Sequence, residues 1–177
     1  YNEHMQYTSI RLLQNHPHVS YAFTTRHGGM SQLPYSSNTL AFHVGDNADD
    51  VIKNHQKLAQ KMGYDYSSLI HMRQIHSDKI VVIDSAIHDF NSPPECDALI
   101  TNKCGIPLMV MTADCTPVLL FDSVQNVIAV VHAGRAGAVK AIVPKTIEKM
   151  CSDFGSKIED ITVIIGPSIH GCCYEVG

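Results

Sequence analysis

The chain has 177 residues, 45% hydrophobic and 17% charged, with a formal net charge of −4. That is enough chain for one domain with a real core, and the composition is that of a soluble globular protein. The acidic balance argues against nucleic acid or an anionic membrane as the main partner. No apolar run is long enough to span a bilayer.

Residues 1–22 are weakly patterned, with a break at His16-Pro17-His18 and a short strand expected over Val19–Thr24. Thr25-Arg26-His27-Gly28-Gly29-Met30-Ser31 is a polar loop, read either as a plain glycine turn or as an anion-binding loop using Arg26. The spacing predicts a helix over Asn47–Met62. Asp46 or Asn47 caps it, Val51, Leu58, Ala59 and Met62 form its stripe, and Gly63 ends it. His55 and Lys57 are expected on or beside its solvated face. Gln74-Ile75-His76-Ser77-Asp78 then leads into a strand over Lys79–Asp84, and Asn91-Ser92-Pro93-Pro94 reads as a loop. Strands follow over Asp97–Thr101 and Ile106–Thr112. Pro117 sits at the start of the next β-run, where a strand tolerates it. Gln125-Asn126 reads as a hairpin turn into Val127–His132. A helix is expected over Ala136–Met150, kinked or restarted by Pro144, and a last strand over Ile161–Ile165. With no repeat or linker, residues 1–177 read as a single metal-binding catalytic domain of α+β class, rich in mixed sheet.

The chemistry-bearing residues concentrate in Val110–Lys140. Cys115 follows one apolar run, and His132 closes another before the chain turns through Gly134 and Gly137. A strand that ends in a ligand and hands over to a helix can place a metal and an anion side by side. Beside these two, His76 is the natural third ligand, with His71 and His88 as competitors. Eleven histidines raise the expectation of a metal site. Two imidazoles and a thiolate suit zinc and leave a fourth position open; copper is the alternative. Zinc in such a site lowers the pKa of a bound water to about 7. Two other readings keep the same residues: Cys115 as a buried thiol with core histidines, or Cys115 as nucleophile with His132 as base and no metal.

Several familiar signatures are absent: the phosphate loop GxxxxGK[ST], GxGxxG and HExxH. Gly166-Pro167-Ser168-Ile169-His170 fails the GxSxG elbow at its last position, and the cytidine-deaminase pattern is missing. Cys96, Cys104, Cys115 and Cys151 stand singly and Cys172-Cys173 are adjacent, which is neither a zinc ribbon nor a secreted disulfide framework. Reduced thiols and a cytoplasmic location are the reading, since no export signal opens the chain. The first residue is Tyr1 and not Met, as in a fragment or a processed form.

Taken together, several segments resemble the bacterial YfiH/YlmD family, also described as laccase-domain or multicopper polyphenol oxidase proteins. They are Phe23-Thr-Thr-Arg-His-Gly-Gly, Pro34-Tyr-Ser-Ser-Asn, His43-Val-Gly-Asp, Gln74-Ile-His-Ser-Asp and Cys96-Asp-Ala-Leu-Ile-Thr. Thr112-Ala-Asp-Cys-Thr-Pro, His132-Ala-Gly-Arg and Gly166-Pro-Ser-Ile-His-Gly-Cys-Cys-Tyr-Glu-Val-Gly complete the set. The resemblance implies a four-layer fold of mixed β-sheets flanked by helices, shared with a deamidating toxin. It implies a zinc site of His76, Cys115 and His132. It also implies phosphorolysis of adenosine, inosine, guanosine and methylthioadenosine, with adenosine deamination as a further activity. Purine nucleoside and phosphate are then the partners, and a homodimer the candidate assembly. Arg26, Arg135, the Gly134 amide and His43 are the candidate phosphate- and substrate-binding set. Two departures stand out. Arg135-Ala136 follows His-Ala-Gly where many members carry two basic or aromatic residues. Members are also usually longer, so the family's C-terminal segment is expected to be lacking. Copper-dependent phenol oxidation is the alternative activity, but its many His-x-His ligands are not here, beyond His16-Pro-His18.

Overall fold

The structure is a computed structural model; residues 7–8, 16, 18–85 and 92–175 are described. The chain divides into two compact units, Tyr1–Tyr66 and Ser67–Gly177.

In the first unit, β1 (Tyr7–Thr8) pairs antiparallel with β2 (Phe23–Thr24). Helix α1 (Ala48–Met62) starts where the sequence places it. The Asn47 side chain accepts from the amides of Asp49 and Asp50, and Gly63, at φ 78°, closes the helix through its amide to the Ala59 carbonyl. The expectation for His55 fails: it is fully buried, its Nε2–H donating to the Leu40 carbonyl at 2.8 Å. Its neighbour Asn54 is equally buried. Its amide nitrogen donates to Ser31 Oγ and the carbonyls of Ser37 and Thr39, and its Oδ1 accepts from the Met30 amide. One helix side chain thus ties the loop that contains Gly29. A Cβ at Gly29 would lie 2.1 Å from the Ser37 carbonyl oxygen, so only glycine fits. Lys57 reaches the same loop, donating to the Gly28 carbonyl at 2.6 Å.

The second unit is built on a five-stranded mixed sheet of order β3-β4-β6-β5-β7. The strands are β3 (Ile80–Val82), β4 (Ala98–Thr101), β5 (Thr116–Asp122), β6 (Val127–Ala133) and β7 (Ile161–Ile165). Only β3 and β4 run parallel. Asp122 Oδ1 accepts from the amides of Val124 and Gln125, closing the β5–β6 hairpin, and Asn126 takes a left-handed φ of 56° there.

Alternation along the strands separates two cores. Ala98, Ile100, Val118, Leu120, Ala129 and Val131 pack with Ile142 and Met150 of the helix α3 (Ile142–Phe154). Leu99 and Val130 face the other way, against Ile70, Met72, Cys96 and Ile106. The strand expected over Ile106–Thr112 is absent. The segment makes a single bridge, Ile70 to Leu108, and Pro107 can offer no ladder amide.

The helix expected after His132, with a kink or restart at Pro144, is two: α2 (Arg135–Val139) and α3, and the restart comes before the proline, where Ala141 adopts φ 59°. Pro144 accordingly lies in the first turn of α3, where its missing N–H costs nothing. All six cysteines are free thiols. Among the described residues no helix is long and apolar enough to cross a membrane.

Candidate metal centre

Three side chains from three separate segments of the second unit meet at the end of this sheet. His132 is the sixth residue of β6, Cys115 immediately precedes β5, and His76 lies in the loop before β3. Antiparallel pairing of Thr116 with Ala133 brings Cys115 beside the His132 end of β6. One ligand atom from each of His76, Cys115 and His132 lies within 4.8 Å of the other two. Cys115 Sγ is 3.9 Å from His76 Nε2, and the two imidazoles stand edge to face with centroids 4.8 Å apart. This is the one such group of three or more ligand-type side chains among the described residues. His71, a competitor, is buried elsewhere in the unit, and His88 lies outside the described residues.

Behind the trio lies the first residue of the expected strand Asp97–Thr101. Asp97 is fully buried at the entry to β4. Its Oδ1 accepts from His132 Nδ1 at 2.8 Å and from the His76 amide at 3.0 Å. Its Oδ2 accepts from the Ser77 amide at 2.6 Å, the Ser77 hydroxyl at 2.7 Å and the Ile75 amide at 3.3 Å. Burial pushes the Asp97 carboxyl up, but these donors outweigh it and hold it below the usual carboxylate range. The sequence signal was available: a carboxylate abutting an apolar run is buried only if it is paired.

His76 itself occupies the left-handed region at φ 56°, an unusual conformation for a side chain of its size. Its loop is pinned from the other side by Gln74. That amide donates to the Met111 carbonyl at 2.7 Å and accepts from the Met111 amide at 2.9 Å.

Gly134 explains itself sterically. A Cβ there would stand 2.9 Å from His76 Cδ2, 3.2 Å from Cys115 Sγ and 3.4 Å from His132 Cε1. The glycine lets the backbone close over all three side chains. The following helix α2 has only five residues, so it brings little aligned dipole to the site.

Beside Cys115 is an open cavity of ≈ 280 Å³, with Asp114, Arg135, Ile169, Gly171 and Tyr174 in its walls. It lies near the lower end of small-molecule pockets, about 300–1,000 Å³. The Ile169 amide donates to the Asp114 carbonyl at 2.9 Å, which holds the C-terminal wall against the Cys115 segment. Arg135 is exposed there. Arg26 and His43 are exposed residues of the first unit. Arg26 Nη2 donates to the Ser36 carbonyl at 3.3 Å.

Desolvation, Asp114 and Asp97 all raise the pKa of Cys115. Cys96 is buried against the sheet and pushed up to about 12, which makes it an inert core thiol.

The family model described as multi-copper polyphenol oxidoreductase laccase matches residues 20–177. A purine nucleoside phosphorylase of Corynebacterium glutamicum is 45% identical over 163 residues, covering 92% of this chain and 65% of the relative. One of Streptomyces griseus is 39% identical over 156 residues, with coverages of 88% and 63%. The crystal structure of Bacillus licheniformis hypothetical protein YfiH superposes with a TM-score of 0.82 at 31% identity, covering 86% of this chain and 60% of that one. The chain therefore spans less than two thirds of each.

Proposed function

The chain belongs to the multi-copper polyphenol oxidoreductase laccase family, and from that premise we propose that it is a metal-dependent purine nucleoside phosphorylase. The names of the two relatives above support the activity. The observation that carries the reading is the His76–Cys115–His132 cluster opening beside a cavity that holds a free-facing arginine.

The residues fit a zinc ion. Zinc bonds of about 2.0–2.3 Å in tetrahedral geometry put neighbouring ligand atoms roughly 3.3–3.8 Å apart. The His76–Cys115 separation is 3.9 Å and all three ligand atoms lie within 4.8 Å of one another, so closure needs an inward movement on the order of 1 Å. His132 already spends Nδ1 on Asp97, which leaves Nε2 to coordinate. When bound, the metal supplies a Lewis acid at an open fourth position.

The remaining roles belong to this chain's own groups. Arg135 is proposed to hold phosphate by charge-assisted hydrogen bonds, with the Gly134 amide as a further donor. Arg26 and His43 are proposed for phosphate or nucleoside on their chemistry alone. Ile169 and Tyr174 offer apolar and aromatic surface to a purine. In finer detail, adenosine, inosine, guanosine and methylthioadenosine are the proposed substrates, zinc is preferred to copper, and adenosine deamination is a second activity.

A metal-free reading draws on the same geometry, because Asp97–His132 beside Cys115 follows the orienter–base–nucleophile order of a hydrolase. The upward push on the Cys115 thiol weighs against it: a nucleophilic cysteine needs a lowered pKa.

Product analysis of adenosine with and without phosphate tests the proposal. Adenine and ribose 1-phosphate, formed only with phosphate and lost in Cys115→Ala, are expected. Phosphate-independent products alone would sink the phosphorylase reading.

A further inference from the structure

We propose that Asp97 is the positioning residue of this centre, fixing the tautomer of one proposed ligand and the backbone of another. The inference rests on the metal-site reading above and adds a determinant outside the ligand set.

Every group within hydrogen-bond distance of the Asp97 carboxylate is a donor. Oδ1 receives His132 Nδ1–H and the His76 amide; Oδ2 receives the Ser77 amide and hydroxyl and the Ile75 amide. Because a carboxylate only accepts, the proton of neutral His132 is held on Nδ1 and the lone pair on Nε2. The same oxygen anchors the His76 amide while that residue sits at φ 56°, so the left-handed turn that presents the His76 ring is tied to the group that orients His132. Two ligands from distant segments share one anchor. His132 N also donates to the Asp97 carbonyl at 2.8 Å, so main chain and side chain act together.

An asparagine has nearly the same shape but only one acceptor oxygen. Whichever way its amide points, an NH₂ meets N–H or O–H donors on one side. Asp97→Asn therefore either releases the His132 tautomer or frees the Ile75–Ser77 turn.

The experiment is nitrogen-15 NMR of His132 without metal or substrate, followed by zinc titration against a chromophoric chelator. In the wild type, His132 is expected to be protonated on Nδ1 and bare on Nε2. Asp97→Asn should give mixed His132 tautomers or faster amide exchange over Ile75–Ser77, and in either case a zinc affinity lower by about 10–100-fold. Leu120→Ala, which destabilises the core on the opposite face of the sheet from Leu99 and Val130, should keep both the wild-type tautomer and zinc affinity. That separates positioning from simple loss of stability. A wild-type His132 carrying its proton on Nε2 overturns the inference, and this measurement stands even if Asp97→Asn fails to fold. So does an Asp97→Asn protein with unchanged tautomer and zinc affinity. Because neither readout uses nucleoside, failure of phosphorolysis alone overturns only the functional reading.

Discussion

Asp97 Oδ1 and His132 Nδ1 lie 2.8 Å apart, and both side chains are buried to within 3% exposure. Where the chain enters β4 beside β6, the sheet thus carries a buried polar pair next to the apolar Leu99 and Val130. A buried carboxylate costs several kcal/mol unless its oxygens are satisfied, and here five donors satisfy them. The pair fixes the His132 ring at the end of the sheet, where the proposed metal site lies.

Metal affinity should rise with pH. The Cys115 thiol is held above its ordinary value by burial and by Asp114 and Asp97, so coordination at neutral pH must displace its proton. Below that raised pKa, zinc affinity is expected to gain about tenfold per pH unit from this group. Chelator competition between pH 6 and 8 checks it. A flat profile would show that Cys115 is not a ligand.

Gly134→Ala should weaken zinc binding more than it weakens the fold. The backbone φ of −73° suits alanine, but the new methyl would press on His76, Cys115 and His132 at 2.9–3.4 Å. Zinc titration should show at least a tenfold loss, with a thermal midpoint close to wild type. Unchanged affinity would mean the three side chains move aside freely.

In the first unit, Asn54→Ala removes the acceptor of Met30 N–H and the donor to three oxygens. The expected destabilisation is about 1–3 kcal/mol, read as faster amide exchange across residues 29–39. Exchange at wild-type rates would show that the loop is held by other contacts.

The sheet core should respond as a packed interior. Leu99 is fully buried and Val139 is 82% exposed. Urea unfolding should place Leu99→Ala about 2–5 kcal/mol below wild type, and Val139→Ala within about 0.5 kcal/mol. Similar small effects for both would contradict the assigned core.

Much of the fold was legible because local rules dominate it. Asn47, the apolar stripe and Gly63 specify α1 without help from tertiary structure. The strands from β4 to β7 stand out as apolar, β-branched runs. Where the reading failed, distant partners decided. His55 lies on the stripe by spacing, four residues after Val51 and three before Leu58, but its polar ring suggests the solvated face until the Leu40 carbonyl is seen to give it a buried acceptor. The α2–α3 break depends on a left-handed Ala141, which composition does not signal. The residues 106–112 have strand composition, but their partner near Ile70 offers one bridge and no ladder. For the site, residue chemistry nominated His76, Cys115 and His132, and the structure brings them together. Asp97 heads an apolar strand in the sequence, and its role at the site shows only once its donors from distant segments are in view.

The most direct measurement is phosphate-dependent formation of ribose 1-phosphate from adenosine before and after metal removal by chelator, with zinc or copper then restored. Activity is expected to be lost on stripping and recovered with zinc, in step with about one metal bound through His76, Cys115 and His132. Full activity in the stripped protein would contradict metal dependence.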